Sequence, residues 1–143
     1  MNINCQFLSP HAKAPARQHD GDAGADLRAV GDTILRPGES ALVSTGLAIH
    51  IPRGYVGLIH PRSGLAAKHG VTVLNAPGTI DHGYTGEVKV LLHNTSRHKV
   101  IVTQGDRIAQ LVVQAVELPT FTPVHAAPDT GRGAGGFGST GAA

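Results

Sequence analysis

Residues 71–88 read VTVLNAPGTIDHGYTGEV, and this stretch decides the fold. Val71, Val73 and Ile80 have strand character, Pro77-Gly78 and His82-Gly83 are turn signals, and an apolar alternation resumes between Glu87 and His93. The pattern predicts a β-hairpin with an elaborated mouth. That mouth presents Asn75, Asp81 and Tyr84 together: an amide able to read a polar ring edge, a carboxylate and an aromatic plate. Such a trio suits a small ligand better than a packed core.

Downstream, Val88, Val90 and Leu92 fall on one face of a strand, and Lys89, Leu91 and His93 on the other. Asn94-Thr95-Ser96 is a loop, and GDRIAQLVVQAVEL from Gly105 carries the longest strand signal in the chain. Gln110 and Gln114 share the parity of Ile108 and Val112, so each amide needs a partner. Neighbouring backbone or a second subunit would satisfy Gln114; for Gln110 a ligand is an equal alternative. Upstream, ILRPGESALV and TGLAIHIPRGYVGLIH alternate short apolar runs with turns at Arg36-Pro37-Gly38 and Pro52-Arg53-Gly54. Turn signals recurring every roughly eight to fifteen residues predict an all-β architecture, a β-barrel or jelly roll. One short helix is expected over Ser63 to His69, ended by Gly70. Ile3 to Leu8 reads as a first strand, followed by a polar passage from Ser9 to Gly24.

Composition agrees. The 143 residues suffice for one domain with a sizeable core, and 41% are hydrophobic. Nineteen Gly and nine Pro beside only 15% charged residues disfavour long charged helices and require many turns. With three Phe, two Tyr and no Trp, the core must rest on aliphatic side chains. A net charge of +2, with no basic run longer than the broken cluster Arg97-His98-Lys99, argues against a nucleic-acid partner. Cys5 is single, which excludes an internal disulfide and fits a reducing compartment. No apolar run approaches the roughly 20 residues of a membrane span, and the N-terminus lacks a basic-then-apolar leader pattern. A soluble, cytoplasmic protein without a membrane partner is expected.

Three further segments carry chemistry. PRSGLA puts Arg62, Ser63 and the Gly64 amide at a helix N-terminus, which suits either half of a phosphate site or a Ser N-cap beside a solvated Arg. In GDAGADL, Asp26 stands at the lip of a strand, as a turn cap or as a ligand to the water shell of a metal. The ending GRGAGGFGSTGAA holds six glycines and would be a disordered tail, but Arg132, Phe137, Ser139 and Thr140 are set within it. Gly-rich backbone can wrap phosphates, Arg can neutralise them and Phe can stack on a base, so a lid that orders on ligand is the other reading. A phosphorylated nucleoside would satisfy all these parts, with Asp81 as general base for water and Mg²⁺ held chiefly by the phosphates. The nine His show no paired spacing with Cys that would suggest a soft-metal site.

In order, AGADL (Ala23 to Leu27), PRSGLA (Pro61 to Ala66), VLNAPGTIDHGYTGEV, GDRIAQLV (Gly105 to Val112) and RGAGGFGSTG (Arg132 to Gly141) resemble the five motifs of the trimeric dUTPases. The resemblance implies a jelly-roll-like β-barrel over 1–124 with a Gly-rich C-terminal arm, 125–143, closing over the site. It implies a homotrimer whose three sites are shared between subunits. It also implies hydrolysis of dUTP to dUMP and pyrophosphate, which keeps uracil out of DNA and supplies dUMP for thymidylate synthesis. By position, Asp81 matches the carboxylate that activates water at the α-phosphorus, with Arg62 and Ser63 as catalytic companions. Asn75 matches the uracil-reading amide, aided by the backbone of Thr79 and Ile80, and Tyr84 the plate under deoxyribose. Lys89 sits where the family strand offers backbone to the base. Arg62, Ser63, Gly64 and Gln110 match phosphate positions, and Asp26 the one near the Mg²⁺ waters. In the arm, Arg132 matches the phosphate-binding Arg and Phe137 the base-stacking aromatic, while Gly138, Ser139 and Thr140 match phosphate contacts. His82, Thr85 and Ala134 depart from the family pattern at positions given no chemistry. The rival readings are a dCTP deaminase of the same fold and a non-catalytic nucleotide-binding trimer. GTID with Asn75 and the complete tail disfavour the first, and the presence of Asp81, Ser63 and Arg132 disfavours the second.

Overall fold

The computed structural model describes residues 1–136. Within them, eleven strands and one helix follow one another as β1 (Asn4–Phe7), β2 (Ala25–Arg28), β3 (Thr33–Leu35), β4 (Ser40–Ser44), β5 (Leu47–His50), β6 (Tyr55–His60), α1 (Ser63–His69), β7 (Val71–Val73), β8 (Gly78–Ile80), β9 (Lys89–Asn94), β10 (Val100–Val102) and β11 (Arg107–Ala115). All pairings of these strands are antiparallel, in four small sheets: β1-β5, β3-β10, β2-β11-β6-β8 and β4-β9-β7. This is the expected all-β, jelly-roll-like fold with one short helix.

The sheets close on one aliphatic core. Leu27, Leu35, Leu47, Ile49, Leu92 and Ile108 are its largest fully buried side chains. Truncating any of them to Ala should cost about 2–5 kcal/mol, because transfer and cavity terms add. The polar groups that enter this core are satisfied. Asn94, fully buried, donates to the carbonyls of Leu35 (3.0 Å) and His98 (2.8 Å) and accepts from the Ser96 N–H (2.9 Å). Its amide thus holds the β9–β10 loop while leaving none of its own polar groups unpaired.

One sequence expectation holds and one changes. The hairpin with an elaborated mouth is formed by β7 and β9, which pair antiparallel, while β8 within that mouth turns away to pair with β6. Leu74 to Pro77 carries the chain from one sheet to the other, with the Leu74 N–H still donating to Leu91 O at 2.8 Å. Val71, Val73 and Ile80, the strand residues of that reading, are all buried. In β11 the register against β2 shifts between Arg107 and Ala109. This bulge turns Ile108, Ala109 and Leu111 all into the core and leaves Gln110 on the opposite face with Val112. Gln110 therefore does not share the side of Ile108.

Beyond β11 the described chain has no strand. The Val116 N–H donates to Gly54 O at 3.0 Å, and Phe121 and Val124 stand exposed. Among the described residues no helix is long and apolar enough to cross a membrane.

Candidate active site

The β7–β8 crossover and the loop 81–88 enclose a cavity of about 180 Å³. Asn75, Thr79, Ile80, Asp81, Tyr84 and Lys89 all line it, so the trio read from the sequence is assembled within a single chain. Glycines set the spacing. A Cβ on Gly78 would lie 3.2 Å from Asn75 Nδ2, so the missing side chain lets the amide lie against the strand. A Cβ on Gly86 would lie 2.6 Å from Tyr84 Oη and 2.8 Å from Cζ, so the ring rests on bare backbone. The Tyr84 hydroxyl donates to Glu87 O at 2.9 Å, which fixes the plane of the ring. Glu87, which sequence reasoning passed over, ties this mouth to the barrel: it accepts from the Gly46 N–H (2.9 Å) and stands 3.5 Å from Lys89 Nζ. Asp81 is exposed at the rim, at the first position of a turn in which the Tyr84 N–H donates to Asp81 O at 3.2 Å.

A second group of sequence-predicted residues gathers elsewhere. Asp26, 6% exposed, accepts from Arg62 Nε at 2.9 Å through one carboxylate oxygen and from Arg107 Nη1 at 3.0 Å through the other. The turn-cap reading of Asp26 is thereby corrected: it is a strand residue whose backbone bridges Ala16 and whose carboxylate neutralises two guanidiniums. Arg107 was missed as a candidate, although an Arg one strand away is what a buried carboxylate requires. Arg62 is also the N-cap of α1, with extended backbone and no side-chain cap bond, so Ser63 is the first helical residue and not the cap. The N–H groups of Ser63 and Gly64 lie in the first turn of α1, the helix end that favours an anion. Arg62 and Arg107 line a cavity of about 580 Å³ together with His69 and Lys99.

Gln110 stands opposite Asp26 on one side and opposite His60 on the other. Its amide oxygen abuts Gly24, where a Cβ would collide with it. The glycine of AGADL is therefore a berth for the amide of GDRIAQ. Arg62, Ser63, Gln110 and Asp26 are not among the residues that line the cavity of Asn75, Asp81 and Tyr84. Arg132 lies in a turn of the C-terminal segment and donates to Gly135 O at 3.0 Å. Phe137, Gly138, Ser139 and Thr140 lie outside the described residues.

A family model described as dUTPase matches residues 10–141. The chain belongs to the dUTPase family. It is 56% identical over 142 residues to the deoxyuridine 5'-triphosphate nucleotidohydrolase of Thermobifida fusca, covering 99% of this chain and 79% of that protein. The enzyme of that name from Bifidobacterium longum subsp. infantis is 58% identical over 138 residues, covering 95% of this chain and 87% of its own. Among solved structures, a point mutant of the Staphylococcus bacteriophage 80alpha dUTPase with dUpNHpp superposes with a TM-score of 0.91 at 29% identity, covering 99% of both chains. A point mutant of the dUTPase from phage phi11 of S. aureus, described as coordinating a structural Mg(II) ion, gives 0.83 at 27% identity over 90% of this chain and all of that one.

Proposed function

We propose that the protein hydrolyses dUTP to dUMP and pyrophosphate in the cytoplasm, as a homotrimer with shared sites. The observation that carries this reading is the one small cavity in which a dUTPase-family chain gathers Asn75, Asp81 and Tyr84. Asn75 reads the uracil edge beside the Thr79 and Ile80 backbone and the strand bearing Lys89, because a wrong base leaves buried polar groups unpaired. Tyr84 lies under the deoxyribose, where a 2′-hydroxyl would collide. Asp81 takes the proton of the water that attacks the α-phosphorus. Arg62, Ser63, Gly64 and Gln110 receive the phosphates, and the absence of all four from the lining of the nucleoside mouth supports their delivery by a neighbouring copy of the chain. The barrel, 1–124, is the folded unit, and the arm, 125–143, closes the site with Arg132 on phosphate, Phe137 on the base and Gly138 to Thr140 on the phosphate tail.

The donor set also fits Mg²⁺. Among the described residues no group of three or more His, Cys, Asp or Glu could cage a metal. Asp26 uses one lone pair of each oxygen on an arginine and keeps others for water, so it would meet the ion through its hydration shell. When bound on the phosphates, the ion supplies neutralisation of their charge.

The test is product analysis with dUTP, dCTP, dTTP and UTP, with and without a chelator, joined to sedimentation. Monophosphate and pyrophosphate from dUTP alone, suppressed by chelation, in a trimer, are expected. A deoxyuridine nucleotide formed from dCTP would reassign the reaction. A monomer at full activity would refute the shared site.

A further inference from the structure

We infer that His82 is a positioning residue for Asp81, a strut that holds the turn bearing the carboxylate in its working orientation. This rests on Asp81 being the base in the reaction proposed above. Asp81 leaves β8 as the first residue of the turn Asp81-His82-Gly83-Tyr84, in which Gly83 has φ 89°. Its carboxylate is exposed, and the loop that follows contains Gly83 and Gly86. The bonds inside this loop, Tyr84 N–H to Asp81 O and Tyr84 hydroxyl to Glu87 O, brace it against itself. His82 reaches out of it. Its Nδ1 lies 2.9 Å from the carbonyl of Ile51, a residue 31 positions away, 2% exposed and part of the core cluster. The strut therefore joins the catalytic turn to a rigid part of the barrel.

The chemistry of the bond is one-directional. A carbonyl only accepts, so Nδ1 carries the proton and donates, which fixes the neutral tautomer. The imidazolium also donates from Nδ1. Arg53, Tyr55, Asp81 and Glu117 line the adjoining cavity of about 420 Å³ with His82. Small side chains at this position cannot span to Ile51. A general base must hold its water at about 2.6–3.2 Å, and misplacement near 1 Å is costly in rate. One net hydrogen bond shifts the population of the productive orientation by about five- to tenfold.

The experiment compares wild type, His82→Ala, His82→Asn and His82→Gln in steady-state dUTP hydrolysis, with melting curves for each. Asn places an N–H donor near the position of Nδ1; Gln places it near Nε2. His82→Ala should lower kcat by about five- to tenfold with a smaller change in KM, because Asn75 lies outside the turn and the Tyr84 hydroxyl keeps its bond to Glu87. His82→Asn should recover most of the rate, His82→Gln should not, and the shape of the pH profile should persist throughout. Wild-type kcat in His82→Ala, or equal loss in Asn and Gln, overturns the strut. Should His82→Ala fail to fold, the Asn–Gln pair decides. Wild-type hydrolysis and an inactive Asp81→Asn are measured alongside. If both hold while His82→Ala is unaffected, the strut alone is wrong; if Asp81→Asn stays active, the base assignment falls and takes the strut with it.

Discussion

Replacing Asp26 by Asn keeps its shape and removes the charge that two guanidiniums share. The side chain is 5% exposed, and its carboxylate accepts at 2.9 Å from Arg62 and at 3.0 Å from Arg107. Charge-assisted bonds of this kind contribute about 1.5–3 kcal/mol each. Asn retains one acceptor and turns its N–H₂ toward the other guanidinium, so one bond keeps only the donor's charge and the other becomes repulsive. Arg62 and Arg107 are 21% and 35% exposed, so water recovers part of the loss. The net cost is about 2 kcal/mol, or a fall in Tm of about 4–8 °C for a chain of this size. Thermal melts at one fixed protein concentration, needed because assembly shifts apparent stability, provide the measurement. A double-mutant cycle with Arg107→Met should give a coupling of about 1 kcal/mol or more, reduced in part by added salt because Asp26 is buried while Arg107 is partly exposed. Asp26→Asn melting within about 1 °C of wild type, or additive behaviour in the cycle, would refute the reasoning.

Asp81→Asn should bind dUTP as wild type does and lose about 10²–10⁴-fold in kcat, read by pyrophosphate release. Gly24→Ala should fold, swing the Gln110 amide out of its berth, and raise KM for dUTP by the same factor as Gln110→Ala, with no further loss in the double variant. Truncation after Thr130 should leave melting of the barrel unchanged while most turnover disappears. Burial raises the Cys5 thiol above its ordinary value. Alkylation of the native protein should lag a free cysteine peptide near pH 9. Because the unfolded thiol ionises first, stability falls as pH rises through the unfolded value and levels off above the folded one; a Cys5→Ser variant should lack that decline.

The sequence exposed the parts of this molecule that are local. Asn75, Asp81 and Tyr84 lie within ten positions, so turn signals and strand character were enough to place them in one mouth, and Gly70 marked the end of α1 at φ 64°. Legibility failed wherever a partner comes from far along the chain. Asp26 meets Arg62 and Arg107 across 36 and 81 residues, and a single sequence does not state that register. The β7–β9 hairpin was legible because its second strand resumes the alternation at Glu87, whereas the pairing of β8 with β6 was not. The bulge at Arg107–Ala109 changed the parity of β11 without any glycine or proline to announce it.

β11 behaves as a ruler. It lays Gln110 level with Asp26 on one flank and with His60 on the other. Deleting one residue between Ala109 and Ala115 would exchange its two faces, burying an amide and exposing Leu111, and would set the neighbouring motifs out of step at one stroke.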